Sequence, residues 1–404
     1  MKYRIAANGQ RTAAGKEGSM PPKARVVLYG GRVVDPASGI DEDRNVIMED
    51  GRIAALTRGP YVSAGYENAV DVSGCIVTPG LIDHHCHMYP LAEKIGIPAD
   101  SVMFGSGVTS IVDAGSCGAA NYPAHRSFKA RTRMTYKAYI HVCPLGLNEP
   151  DIPDPEKLDC GLLAELFAEC GDELMGLKLR ISRNLTEEWG FAPLKKTVEI
   201  ADKLGVPVMV HPTDPPGEME ELLSFLRPGD VCSHMYMNIG SGITDEAGHV
   251  KPCVLRARER GVLFEAADAQ AHFGLSTAQA AIREGFLPDF IATDGTVNSM
   301  FKRPTAFSLA MQLARYESLG LSFPEILRRC TVNPARDMGL TDGEGTLTVG
   351  KTADAAVFRR HERETLFGDR PNGDPDQRTW TGNVVYEPVL TVKRGMVVYR
   401  NILL

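Results

Sequence analysis

Between about Pro79 and Gly339 the chain repeats one texture, a short apolar run of β type followed by a stretch of helical period. The runs PGLIDHHCH, TSIVDAG, YKAYIHV, GLKLRI, VPVMVH, DVCSHM, GVLFEAA and DFIATD are separated by segments such as GLLAELFAEC and KKTVEIADKLG. Strands that are apolar on both faces and alternate with helices form a parallel sheet covered on both sides. Eight such runs, spaced about 30 residues apart between His85 and Asp294, match the roughly 250 residues over eight units of a (β/α)8 TIM barrel. No internal repeat accompanies the pattern, so periodicity and spacing alone predict this α/β fold.

The flanks read differently. Residues 1–24 are rich in Gly, Lys and Ala without a period and are expected to form a flexible tail. Residues 25–77 hold short strand-like runs, with a Glu-Asp-Gly hairpin signal at 49–51. A similar texture returns in 340–404, in TADAAVF, GNVVYEPVLTV and KRGMVVYRN. The two stretches are expected to combine into a small β-sandwich domain beside a barrel spanning 78–339.

Composition removes several function classes. The 44 Lys and Arg against 51 Asp and Glu leave a net charge of −7, which is wrong for a nucleic-acid or anionic-membrane binder. No apolar run approaches the roughly 18–20 residues of a membrane span, and the first residues lack the apolar stretch of a signal peptide. The nine cysteines show no CxxC pair, so neither a disulfide framework nor a zinc-finger site is indicated. Cys86, in alternating phase with His84 rather than with His85 and His87, reads as a small buried filler. A cytoplasmic enzyme, working as a homo-oligomer on a small molecule, is the expectation.

Polar residues able to bind metal fall at the C-terminal ends of the predicted strands, where a barrel of this kind places its active site. His85 and His87, two apart, share one side of the first strand. Lys178 lies inside GLKLRI, His211 ends VPVMVH, His234 ends DVCSHM and Asp294 ends DFIATD. Singly, each has an ordinary alternative: a core histidine, a snorkelling lysine, a helix-capping aspartate. Those alternatives would have to hold independently at five strands. Imidazoles and carboxylates converging on one rim suit zinc or a similar borderline ion.

In order along the chain, VTPGLIDHHCH, Lys178, VMVHP, CSHM, IATDG, TVNPARDMGL and EGTLTVGKTADAAVF resemble the amidohydrolase superfamily of metal-dependent hydrolases, from about residue 25 to the C-terminus. VDAGSCGAANY, GLKLRIS, VHPTDPP and PGDVCSHMYMN are most similar to its deacetylase-like subgroup, related to dihydroorotase. The resemblance implies two divalent ions, expected to be Zn2+ with Mn2+, Co2+ or Fe2+ able to share such sites. His85, His87 and Asp294 would ligate the first ion, and His211 and His234 the second. A CO2-derived carbamate on Lys178 would bridge them. A hydroxide between the metals would attack a carbonyl, with Asp294 carrying the proton. Substrate contacts are expected from Arg180, Tyr236, Asn238 and Asp268.

Two departures fall in the substrate wall. Relatives carry a His in a Gly-rich turn after strand seven, where this chain reads EAADAQAHFG; Asp268 stands near that position and His272 reads as a loop residue. Relatives also carry a second His after the strand-eight Asp, replaced here by Gly295-Thr296-Val297. The Arg expected of a dihydroorotase after the first His pair is replaced by Met88-Tyr89. The leading expectation is a binuclear hydrolase of an amide or ester bond in a small, carboxylated substrate. A hydantoinase-type hydrolase of cyclic amides, a deaminase and a non-catalytic scaffold stand as alternatives.

Overall fold

The computed structural model describes residues 25–404 apart from 64–67, 90–93, 149, 150, 152, 187, 270, 301–306 and 370–377. The expected tail, 1–24, lies outside the described residues. Five strands come first: β1 (Arg25–Asp35), β2 (Ile40–Glu49), β3 (Arg52–Thr57), β4 (Asn68–Asp71) and β5 (Ile76–Pro79). Eight more follow, most of them separated by helices: β6 (Leu81–Cys86), β7 (Val108–Gly118), β8 (Thr135–His141), β9 (Leu174–Arg180), β10 (Val208–His211), β11 (Val231–Cys232), β12 (Leu263–Ala267) and β13 (Phe290–Ala292). The chain ends with β14 (Ala355–Asp369), β15 (Arg378–Lys393) and β16 (Met396–Arg400).

The terminal strands build one mostly antiparallel sheet in the order β16-β15-β14-β5-β1-β2-β3, with β4 pairing beside β1. Its β2–β3 turn pairs Glu49 with Arg52 across Asp50 and Gly51, at φ 50° and 77°. Positive φ at both central residues is the type I′ geometry whose twist suits a two-residue hairpin.

Strands β6 to β13 pair in sequence order, all parallel, into a nearly closed TIM barrel. Between β13 and β6, Asp294 N–H donates to His85 O at 2.8 Å and His87 N–H to Gly295 O at 3.0 Å, so the ends of the barrel sheet meet at the functional rim.

Alternation along the strands separates two cores. Outward residues such as Leu177, Leu179, Val208, Val210, Phe264 and Ala266 pack in one large cluster with residues of the helices. Inward, Ile82, Val112, Tyr139, Met209, Val231 and Phe290 fill the lower barrel, joined by Met338 and Leu340 from beyond the last helix. On four of the strands the inward position turns polar two residues further along: Tyr139 is followed by His141, Met209 by His211, Val231 by Ser233 and Leu263 by Glu265. A period of two thus lays an apolar floor and sets a polar layer above it.

The first strand departs from simple alternation. A register shift between Asp83 and Cys86 lets His84 and His85 both face inward while Cys86 packs outward. Cys86 is fully buried, as its filler reading expected, and its thiol donates to Val112 O.

Candidate metal centre

The structure brings all six strand-end residues to one rim. His85, His87 and Asp294 form one group and His211, His234 and His272 another, each with ligand atoms within 4.8 Å of one another. Asp294 Oδ1 lies 3.2 Å from His87 Nε2 and 3.5 Å from His85 Nε2. His234 Nε2 is 2.8 Å from His211 Nδ1, and His272 Nε2 is 3.6 Å from Asp294 Oδ2. Lys178 Nζ is 3.3 Å from His85 Nε2. His234 and Asp294 follow very short strands and take φ of 54° and 48°. Left-handed backbone at non-glycine residues costs about 1–3 kcal/mol each and collects where function demands it.

Protein partners fix several imidazoles by one nitrogen and leave the other toward the centre. His85 Nδ1 bonds Glu265 Oε2 at 2.6 Å, and His234 Nδ1 donates to Ala267 O at 2.6 Å. His87 Nδ1 meets the Ser116 hydroxyl at 3.0 Å, which donates to Asp113 at 2.8 Å. His272 Nδ1 meets the Thr213 hydroxyl at 2.9 Å. Such outer partners set the tautomer and the ring direction of metal-binding histidines. Below them His84 lies between Glu265 Oε1 at 2.6 Å and Asp337 Oδ2 at 2.9 Å, stacked on Phe290. Burial opposes its charge, yet the two carboxylates raise it to about 9.

Burial draws the Lys178 amine down to about 8, with Arg180 adding to the effect and Glu265 and Asp294 opposing it. Burial likewise lowers His211 and His234, and takes His272 down to about 4. The Asp294 carboxyl, despite burial, is held well below its usual range by His87, His85 and His234. The donor set of neutral imidazoles and one carboxylate fits divalent ions of the zinc type. A lysine buried 3.3 Å from an imidazole nitrogen is out of place as an ammonium, which cannot ligate, and in place as a neutral amine.

The substrate-contact expectations divide. Arg180 lines a cavity of about 560 Å³ together with His87, Lys178, His211, His272 and Asp294. Its Nη1 also donates to Asp151, so the inward guanidinium and a strand-end ion pair coexist. Tyr236, Asn238 and Asp268 are not among the lining residues, and this corrects their expected substrate role. Tyr236 is fully buried against Phe273 and Tyr316. Asn238 packs on Gly274, where a Cβ would come within 2.6 Å of its Cγ. Asp268 is fully buried, accepts from the Tyr316 hydroxyl at 3.0 Å and pairs with Arg315 at 3.3 Å. The physical reason is the left-handed residue at His234: β11 ends at Cys232, so strand alternation no longer says where Tyr236 points.

His272, read as a loop residue, instead completes the second group. The carboxylate in GVLFEAA and the first histidine of DHHCH were the available signals for Glu265 and His84, since a charge inside a buried strand run needs a partner. Lys94, Asn148 and Asn298 also line the cavity and had no sequence signal, whereas Thr296, which lines it too, belongs to the segment expected in the substrate wall.

The sequence profile of the amidohydrolase family matches residues 76–385, well over half of the chain. A deacetylase of Agrobacterium fabrum is 31% identical over 368 residues, covering 89% of each chain. A crystal structure of a dihydroorotase superposes with a TM-score of 0.82 at 30% identity, over 94% of this chain and 100% of the other. A crystal structure of an adenine deaminase gives 0.83 at 25% identity over the same shares.

Proposed function

The chain belongs to the amidohydrolase family as a hydrolase acting on C–N bonds, and from that premise we propose a binuclear deacylase of small, carboxylated substrates, cleaving an amide or ester bond. The observation that carries the proposal is the convergence of two ligand groups around the buried Lys178. His85, His87 and Asp294 would hold one divalent ion, His211 and His234 the other, with Lys178 carboxylated between them. Bound there, ions of the Zn2+, Mn2+, Co2+ or Fe2+ type would bring a water pKa near 7 and polarise a carbonyl oxygen.

The chain's own residues do the rest. Asp294, with Oδ1 near His85 and His87 and Oδ2 near His272, takes the proton from the attacking water and returns it to the departing nitrogen or oxygen. His272, anchored through Thr213, supplies a neutral imidazole on the cavity wall where the sequence reading put Asp268. Arg180, braced by Asp151 and still 31% exposed at its side chain, is the candidate clamp for a substrate carboxylate. Met88 and Tyr89 are buried, with Tyr89 against His125, so the position where a dihydroorotase carries Arg offers no cation here.

The likeness to a dihydroorotase favours ring-amide hydrolysis as the second reading. A panel of N-acyl amino acids, O-acyl hydroxy acids, cyclic amides and adenine, run on protein loaded with zinc and bicarbonate, separates the readings. Turnover of open-chain acyl substrates, lost with a chelator, is expected; turnover confined to rings would replace the proposal with the second reading. Failure to bind metal at all would favour a scaffold. The proposal also takes the enzyme as a cytoplasmic homo-oligomer, and sedimentation of the purified protein tests its assembly.

A further inference from the structure

His141, the last residue of β8, is fully buried and is not among the residues lining the cavity. Its Nδ1 accepts the Cys143 N–H at 3.1 Å. A ring nitrogen that accepts cannot carry hydrogen, so the hydrogen resides on Nε2. Among the described residues that Nε2–H has no hydrogen-bond partner. A buried donor left unpaired costs about 1–3 kcal/mol, and such a group calls for an explanation.

The neighbourhood supplies one. His141 pairs in register with Lys178 on β9, and Val142 N–H donates to Lys178 O at 3.0 Å. Tyr139, two residues earlier, belongs to the inner core, so His141 faces the barrel interior on the same side as Lys178. On β7, Gly115 leaves this space open: a Cβ there would sit 2.5 Å from Lys178 Cβ and 3.5 Å from His141 N. Lys178 as a plain amine offers this donor no anionic acceptor. Carboxylation changes that. The neutral amine adds to the carbon of CO2, one C=O pair moves onto oxygen, an N–H proton leaves to solvent, and two oxygens with about four acceptor positions result. Two ions would leave part of that capacity free.

We infer that His141 is a positioning residue that donates its Nε2–H to an oxygen of the carbamate on Lys178, holding the modified side chain in place. The inference rests on the carbamate proposed above. It assigns the unpaired donor to an anion formed after folding, and it makes retention of CO2 depend on a residue that touches neither substrate nor cavity.

The test uses full-length protein with Zn2+ and 13C-labelled bicarbonate, following the carbamate carbon by NMR as bicarbonate is titrated. His141→Phe keeps a flat ring without the donor, and His141→Gln keeps an N–H near the Nε2 position. A hydrogen bond to a charged group is worth enough that His141→Phe should need roughly tenfold or more bicarbonate for half-maximal signal. His141→Gln should recover most of the loss, with thermal unfolding checking that both variants fold. Equal bicarbonate dependence in wild type and His141→Phe overturns the inference alone. So does an equal loss in both variants, which would mean a packing role. No carbamate signal in wild type overturns the proposed carbamate and this inference together.

Discussion

Lys178 is the residue at which the chemistry is most exposed to test. Its amine titrates near 8 inside the barrel against an ordinary value of 10.5, because burial penalises the ammonium. The sign follows from proton binding. Between those two pH values the unfolded chain holds the proton and the folded metal-free protein does not, so folding gains stability as pH rises. In chelator-treated protein, the stability of wild type relative to Lys178→Met should therefore rise between about pH 8 and 10.5, by up to roughly 3 kcal/mol, read from denaturant unfolding at several pH values. A flat difference would show that the amine is not perturbed. Asp294 gives the second residue-scale prediction. Asp294→Asn should keep bound metal by elemental analysis while kcat falls about 10²–10⁴-fold, the usual worth of general acid–base help. Near-wild-type turnover would remove it from proton transfer.

Among the elements, β7 makes room for the centre. Gly115 takes φ 85° and packs against the Lys178 stem, so an added Cβ meets both backbone strain and a 2.5 Å contact. Gly115→Ala should displace Lys178, reduce zinc retention at least about tenfold and lower the melting temperature by several degrees, measured by metal titration and calorimetry. The elements also show where sequence reading succeeds. The apolar runs of β7 to β10, with Lys178 on β9 and His211 on β10, were legible because period-two alternation persists to the strand end, as at Met209 and His211. It fails where alternation breaks: the register shift in β6 that turns His84 inward, and the left-handed residue after β11 that sends Tyr236 behind the wall.

At the scale of the whole molecule, a buried ion pair within the terminal sheet lies where that sheet meets the barrel, and its lysine reaches across to a barrel strand. Lys393 Nζ, at the end of β15, donates to Asp354 Oδ2 at 2.6 Å and to the Thr135 hydroxyl of β8 at 2.8 Å. Both side chains of the pair are 1% exposed. Removing one partner strands a charge in a dry junction, so Asp354→Ala should cost about 3–5 kcal/mol in urea unfolding, and the double variant Asp354→Leu with Lys393→Met much less. Equal losses would mean that packing, not charge, holds the junction. The sequence by itself determined what is local and periodic: eight apolar runs at barrel spacing and the types of six converging residues. Only the tertiary structure decided which distant groups meet: Glu265 with His84 and His85, His272 with Asp294, Asp268 with Arg315 rather than the cavity. Strand and helix patterns are written by neighbours in the chain. A buried charge chooses its partner across the barrel, where only the folded geometry brings the two within hydrogen-bond reach.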